Sequence, residues 1–428
     1  MEQLSTRTPD WEKRLDLVLA RSRVVAPEIE QRVADIITQV RTQGDLAVMA
    51  LTRQHDRFDP EKEGLCIEAP AIAAAAGRIA PELHQALATA AERIRAFHSH
   101  QREESWTVTD AAGSILGQKI TPVSRAGIYT PGGRNAFPST LLMNVIPAQI
   151  AGVEEIAVVS PTPDGRVNDT LLAAAHILGI KRIFRIGGAQ AVAALAFGTA
   201  GIPKVDVVVG PGNIYVARAK AQLQGTIGID AIAGPSEIVV IADTGADPRW
   251  IACDLLSQAE HDPMASAMLI TPHDSLAAAV LEHLDREQAS LPRREITARS
   301  LADHGAVIVT RDLDEAVAIA NSIAPEHLEL MLADAMAYLG KIRNAGAVFL
   351  GYHCMEAIGD YIAGPNHTLP TAATARFSSA LGVYNFIKRT SILGLSPQAV
   401  RELGPMAARM ARSEDLEAHA RSVDCRLS

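Results

Sequence analysis

The chain of 428 residues has few aromatic side chains, only 4%. So few rings leave little for stacking on nucleobases. Positive charge is not in excess either. The formal net charge is −9, which argues against a nucleic-acid surface and against an anionic membrane. Apolar runs are short and broken by Gly, Pro or charges, and none reaches the length of a membrane span. The start, Met1-Glu2-Gln3-Leu4, lacks the charged-then-apolar pattern of a secretory signal. The four cysteines, Cys66, Cys253, Cys354 and Cys425, lie far apart with no C-x-x-C. They are expected as free, mostly buried thiols in a reducing, cytoplasmic setting. A metal site in this chain must then use nitrogen and oxygen ligands. Also missing is a G-x-G-x-x-G followed by an acidic residue in its usual place, so no dinucleotide fingerprint is present.

What is present is ordinary for a globular chain: 48% hydrophobic and 21% charged residues, with length enough for two or more domains. Residues 1–56 read as helices, with Trp11-Glu12-Lys13-Arg14-Leu15 starting one and Glu28 to Ala50 carrying apolar residues at helical spacing. Pro70 to Glu104 reads as a long Ala-rich helical stretch broken at Pro81. From Gly117 the texture changes. Strand-like runs at 156–159, 183–186 and 205–209 alternate with helical patterns at 168–178, 189–199 and 213–224. A second block repeats the alternation, with strands near 268–270, 306–309 and 346–350 and helices near 275–288 and 312–322. Such alternation means parallel βαβ units. The fold class expected is α/β: two Rossmann-like parallel-sheet domains without the usual glycine fingerprint, a helical N-terminal segment and a C-terminal helical tail. Beyond Lys388 the chain is expected to be helical, with Ser396-Pro397 as a cap pair.

Gly-rich turns recur at 127–133, 187–190, 210–213 and 233–237. Ligands of open α/β sheets bind beyond the carboxyl ends of strands, where such turns are expected. Backbone N–H groups there, with a helix N-terminus behind them, suit a phosphate. Ordinary tight turns explain the same glycines. Tyr129, Gln190 and Asn213 are the side chains best placed to touch a nucleotide.

Polar clusters supply the candidate chemistry. A helix opens at Asp247-Pro248, carries Trp250, Ile251, Leu255 and Leu256 as an apolar stripe, and presents Gln258 and His261 three apart at its end. Ala324-Pro325-Glu326-His327 sets a carboxylate beside an imidazole after a helix-breaking proline, in what reads as a loop. That pairing suits general acid–base work. Asp360 sits in a turn-rich segment, and Glu414 and His419 lie near the C-terminus. Gln258, His261, Asp360 and His419 together offer two imidazoles, a carboxylate and an amide oxygen, a set that suits zinc. Each also fits a solvated or capping residue, and spacing alone does not choose.

The motifs taken in order do choose. Gly-Ile-Tyr-Thr-Pro-Gly-Gly (127–133), Gly-Gly-Ala-Gln-Ala (187–191), Gly-Pro-Gly-Asn (210–213), Ala-Gly-Pro-Ser-Glu (233–237), Gln-Ala-Glu-His-Asp (258–262), Ala-Pro-Glu-His-Leu-Glu (324–329), Gly-Asp-Tyr-Ile-Ala-Gly-Pro-Asn-His (359–367) and Glu-x4-His (414–419) closely resemble the histidinol dehydrogenase family from about residue 25 to 424. The resemblance implies one zinc ion per subunit on Gln258, His261, Asp360 and His419. It implies acid–base chemistry by Glu326 and His327. Substrate contacts fall to Ser236, Gln258, His261, His327, Asp360, Glu414 and His419, and NAD contacts to Tyr129, Gln190 and Asn213. It implies a cytoplasmic homodimer that oxidises L-histidinol to L-histidine with two NAD+ and water, the tail of each chain completing its partner's site. The domains expected are an arm at 1–25, a first α/β domain of 26–122 with 238–380, a second at 123–237 on the NAD side, and a helical tail at 381–428. Two other functions remain open at this point. One is a related NAD-dependent dehydrogenase for another polar alcohol. The other is a zinc hydrolase, against which the Gly-rich turns speak.

Overall fold

The computed structural model describes residues 1–20, 26–132 and 137–427. Gly133, the last glycine of the 127–133 run, lies outside them. Two six-stranded sheets carry the fold. The first runs Cys66–Glu68, Arg182–Phe184, Glu155–Val159, Arg125–Tyr129, Val207–Val209, Gly228–Ile229, parallel except for its antiparallel first strand. The second runs Glu2–Ser5, Ala306–Val309, Ser266–Thr271, Glu237–Ala242, His327–Met331, Ala347–Leu350, parallel throughout.

Central strands such as Val207-Val208-Val209 and Ile238-Val239-Val240-Ile241 are apolar at every position because both of their faces are covered. In the first sheet Ile128, Leu142 and Leu172 share one core and Val159, Leu195 and Val208 the other. The second sheet likewise has a core on each side, around Val240 and Leu255 and around Ile241 and Ile319. The α/β class with two parallel-sheet layers is therefore as the sequence pattern indicates. The helices Asp169–Ile177, Gly188–Phe197, Ile214–Leu223, Asp274–Gln288 and Leu313–Ile323 fall where alternation places them. Pro81 opens the helix Pro81–Ser99 and separates it from Ala69–Ala76.

Several boundaries differ from the reading above. The arm expected at 1–25, of which 21–25 lie outside the described residues, is not simply helical over 1–20. Glu2–Ser5 is an edge strand paired with Ala306–Val309, followed by the helix Trp11–Ala20. Four residues are too short to display a strand period. The helical run from Glu28 divides at Gly44, whose φ of 56° starts a new helix at Asp45. Both helices, Pro27–Gln43 and Asp45–Asp56, pack with the first sheet rather than the second. Val33, Ile36, Val48 and Leu51 share a core with Val159, Leu195 and Val208. The tail from 381 is not all helix either. Ile387–Gly394 is a strand of a three-stranded antiparallel ribbon with Ile115–Pro122 and Trp106–Thr109. Its half-exposed residues lack the continuous apolar run of a buried strand. Ser396 does cap the helix Pro397–Ser413, its Oγ accepting the Ala399 N–H at 3.0 Å.

Trp250 leaves the expected stripe. Ile251, Leu255 and Leu256 are buried, but Trp250 is 43% exposed and lies 5.3 Å from the His353 ring. No disulfide joins these cysteines, yet Cys253, Cys354 and Cys425 are exposed on surface elements and only Cys66 is partly covered, so most are not buried as expected. Among the described residues no helix is long and apolar enough to cross a membrane.

Leu4, on the N-terminal strand, is 3% exposed. Leu4→Ala is expected to lower stability by about 2–4 kcal/mol in urea denaturation. A change below about 0.5 kcal/mol would show that the strand adds little to the sheet.

Candidate active site

Strands Glu237–Ala242 and His327–Met331 are neighbours at the middle of the second sheet, with Ile238 opposite His327. This register sets Ser236, Glu326 and His327 at the amino ends of the two strands. The backbone of Glu237 holds the pair: its N–H donates to Glu326 Oε2 at 2.9 Å, and its carbonyl accepts from His327 Nδ1 at 3.0 Å. A carbonyl only accepts, so Nδ1 carries the proton and Nε2 is left as the reactive nitrogen. Nε2 faces Asp360 Oδ1 at 3.6 Å. His327 thus opens a central strand rather than lying in a loop. Ala324, in the left-handed conformation at φ 54°, turns the chain from the helix Leu313–Ile323 into Pro325. The two side chains are buried, at 7% exposure for Glu326 and 3% for His327.

Burial pushes Glu326 up to about 8. Burial also disfavours the charged imidazole of His327, but the Glu326 and Asp360 carboxylates outweigh it and raise its pKa. Both groups therefore bind a proton more tightly than in water, and each must release it before it can act as a base.

Asp247 caps the helix Pro248–Ala259, its Oδ1 accepting from Arg249 N at 2.8 Å. The helix delivers Gln258 in its last turn, with His261 just beyond. Asp360 sits in a single π-turn, Gly359–Ala363, a distortion that recurs at functional sites. Gly359 is required there, since a Cβ would stand 2.6 Å from the Phe349 ring. One ligand atom each from His261, Glu356 and Asp360 lies within 4.8 Å of the other two. Gln258 is 1% exposed and its Oε1 has no hydrogen-bond partner. Desolvation lowers the pKa of His261, which leaves the imidazole neutral and able to ligate. An imidazole, two carboxylates and an orphaned amide oxygen fit a divalent cation such as zinc.

Glu356 was not singled out by sequence reading. It is 2% exposed and accepts from Ser257 Oγ at 2.9 Å. In the sequence it is one glutamate after Met355, with nothing to mark it as buried. Conversely, Glu414 and His419 are exposed on the tail, and the structure does not bring them to His261 within the same chain.

At the carboxyl ends of the first sheet lies a cleft of ≈ 390 Å³, lined by Tyr129, Gln190 and Asn213 together with Arg32, Asp56 and Tyr215. The Tyr129 hydroxyl accepts the Gly188 N–H at 3.1 Å, and burial pushes the phenol up to about 12. Asn213 Oδ1 caps the next helix, accepting from Tyr215 and Val216 N–H, which leaves its amide N–H groups for a ligand. The turn at Gly210 is pinned. Its φ is +113°, and a Cβ there would stand 2.0 Å from the Tyr129 carbonyl. Buried Lys220 donates to Gly210 O at 3.0 Å and pairs with Asp230, which accepts the Gly210 N–H at 2.7 Å.

The first sheet thus shows a cleft at its carboxyl ends. The turn 233–237 leads into its strand, so the acid–base residues of the second sheet occupy amino ends. One segment joins the two sites: His367 Nδ1 donates to Asp360 O at 2.8 Å, and Thr140 Oγ1 lies 3.3 Å from His367 Nε2. Thr140 belongs to the helix Pro138–Ala151 of the first sheet.

A buried acid–base pair and an N/O ligand cluster on one parallel sheet, with a cleft at strand ends of the other, fit an α/β enzyme of the dehydrogenase kind. Residues 19–427 match the family model described as histidinol dehydrogenase. The chain is 50% identical to histidinol dehydrogenase of Pseudomonas putida, over 99% of its length and 97% of the relative's. It is 51% identical to that of Cereibacter sphaeroides, over 99% and 98%. The crystal structure of histidinol dehydrogenase from Elizabethkingia anophelis superposes with a TM-score of 0.93 at 35% identity, covering 100% of this chain and 98% of that one. The chain belongs to the histidinol dehydrogenase family.

Asp56, 9% exposed in the cleft, has an Oδ2 without a hydrogen-bond partner, and burial pushes its pKa up to about 6 from 3.8. The folded form therefore binds the proton more tightly than the unfolded chain, and ionisation above pH 6 costs stability that is regained as pH falls toward 3.8. Asp56→Asn is expected to raise Tm at pH 8, the gain fading through pH 6 and gone below about pH 4. An equal gain at both ends would exclude ionisation as its cause.

Proposed function

We propose that the protein oxidises L-histidinol to L-histidine by way of L-histidinaldehyde, in the last steps of histidine biosynthesis, using two NAD+ and one water. The observation that carries this reading is the buried Glu326–His327 pair, held by one backbone unit, with His327 Nε2 3.6 Å from Asp360 of the ligand cluster. His327 takes the alcohol proton at Nε2 as hydride leaves for the nicotinamide. Glu326 takes a proton from the water that adds to the aldehyde, and the hydrate gives the second hydride.

Gln258, His261 and Asp360 would hold zinc, with His419 as the fourth ligand. Zinc, when bound, supplies a redox-inert positive charge that orients the substrate's amine and imidazole. Glu356, which burial pushes up to about 7, hydrogen-bonds Asp360 and steadies it in the cluster. Ser236 and Glu414 contact the substrate beside Gln258, His261, His327, Asp360 and His419. Tyr129, Gln190 and Asn213 hold the NAD. The family assignment leaves no support for a zinc hydrolase.

A homodimer supports the placement of His419 and Glu414. The tail helix exposes Leu403 (49%), Met406 (54%) and Met410 (66%), and the ribbon exposes Trp106 (52%), Val108 (55%) and Leu393 (67%). That much apolar surface asks for a cover. A second copy provides it and receives the tail's Glu414 and His419 in its own site. The proposed location is the cytoplasm.

NADH formed per L-histidinol consumed tests the reaction. Two are expected, and one would mean that oxidation stops at the aldehyde. Glu326→Gln should slow the aldehyde step by about 10²–10⁴-fold and the alcohol step far less; equal losses would remove Glu326 from its role. Mixing His419→Asn with Glu326→Gln chains tests the shared site. Recovered activity is expected, and no recovery at any ratio would place each site within one chain.

A further inference from the structure

The cleft beside Tyr129 holds a carboxylate with no assigned partner. Asp56 ends the helix Asp45–Asp56 and is 9% exposed, and among the described residues its Oδ2 has no hydrogen-bond partner. Arg32 and His55 line the same cleft, and Arg57 follows Asp56 in the chain. Arg57 makes two bonds to Asp164, at 2.6 and 2.8 Å, and Arg32 stands 5.7 Å from the Tyr215 ring centre. A buried carboxylate oxygen without a donor is costly, and such groups are retained where a ligand supplies the donor.

The position of the cleft indicates which donor. Among the described residues its lining comes from the first sheet and the helices packed on it, with none from the second sheet. The hydride-accepting ring must reach His327, so this lining belongs to the far, adenosine end of a dinucleotide. The helix Gly188–Phe197 points its N-terminus into the same cleft, which suits the pyrophosphate. What remains for Asp56 is the adenosine ribose, whose neighbouring hydroxyls are donors. In a glycine-fingerprint fold an acidic residue about twenty positions downstream takes that ribose. This chain lacks that fingerprint, and here the acid would arrive from a helix that precedes the sheet.

We propose that Asp56 binds the adenosine ribose hydroxyls and makes the enzyme prefer NAD to its 2′-phosphorylated form. The inference rests on the reading of this cleft as the dinucleotide site. A 2′-phosphate placed there removes a donor and sets a dianion against a buried carboxylate.

The test is fluorescence titration of the zinc-loaded dimer with NADH and with NADPH, alongside KM and kcat for NAD+. Wild type is expected to bind NADH at least about a hundredfold tighter than NADPH. Asp56→Asn should weaken NADH binding by about tenfold or more and narrow the preference to under about tenfold, raising KM with kcat nearly unchanged. Asp56→Glu, which keeps the charge, should still reject NADPH. If wild type binds NADH and Asp56→Asn leaves both affinities within about twofold, the role of Asp56 is overturned while the cleft stands. If wild type binds NADH but Gln190→Ala and Asn213→Ala leave its affinity untouched, the cleft reading fails, and this inference with it.

Discussion

The pairing of strands Glu237–Ala242 and His327–Met331 is the constraint on which the site depends. The backbone of one residue, Glu237, donates through its N–H to Glu326 and accepts through its carbonyl from His327. A slip of one residue in this register would turn both side chains to the wrong faces. Slippage is prevented by the apolar residues on either side of it, Val239, Val240, Leu328 and Leu330, each of which already fills a core. The packing of the sheet thus sets the tautomer of the imidazole and aims Nε2 at Asp360.

The two candidate sites lie at opposite strand ends. Tyr129, the Gly188 turn and the Gly210 turn lie at carboxyl ends of the first sheet, where helix N-termini favour phosphate. Ser236, Glu326 and His327 lie at amino ends of the second. The segment 359–367 spans between them. It carries Asp360 in a π-turn, contacts Thr140 through His367, and ties Asn366 to the carbonyl of Met143 at 2.6 Å. Movement of one sheet relative to the other would be felt directly at Asp360.

Buried acids are crowded near this junction. Burial raises the pKa values of Asp254, Glu329 and Glu356, and Glu329 Oε1 accepts the Glu356 N–H at 2.8 Å. So many carboxylates out of water oppose folding unless protons or a cation neutralise them. The arrangement is poised to accept positive charge, which is what the donor set of Gln258, His261 and Asp360 requires. The Lys220–Asp230 pair behaves differently. It is already neutralised, and it serves as a clamp on the Gly210 turn.

Local chemistry was legible in the chain itself. Alternating β-branched and Ala-rich runs set the α/β class, because a strand buried on both faces must be apolar throughout. Asp247 and Ser396 were readable as helix caps, since capping needs only the neighbouring backbone. The motifs around Gln258, Glu326 and Asp360 marked the candidate residues. Tertiary structure decided the rest. The Glu2–Ser5 strand, the side of the molecule covered by Pro27–Asp56, and the strand Ile387–Gly394 all depend on partners more than a hundred residues away. Glu356 and Asp56 look like any solvated acid in the sequence. Their burial is a property of what packs around them, and no local pattern encodes it. The same holds for the amino-end position of Glu326 and His327: two adjacent residues state a chemistry, but only strand order states where it is aimed.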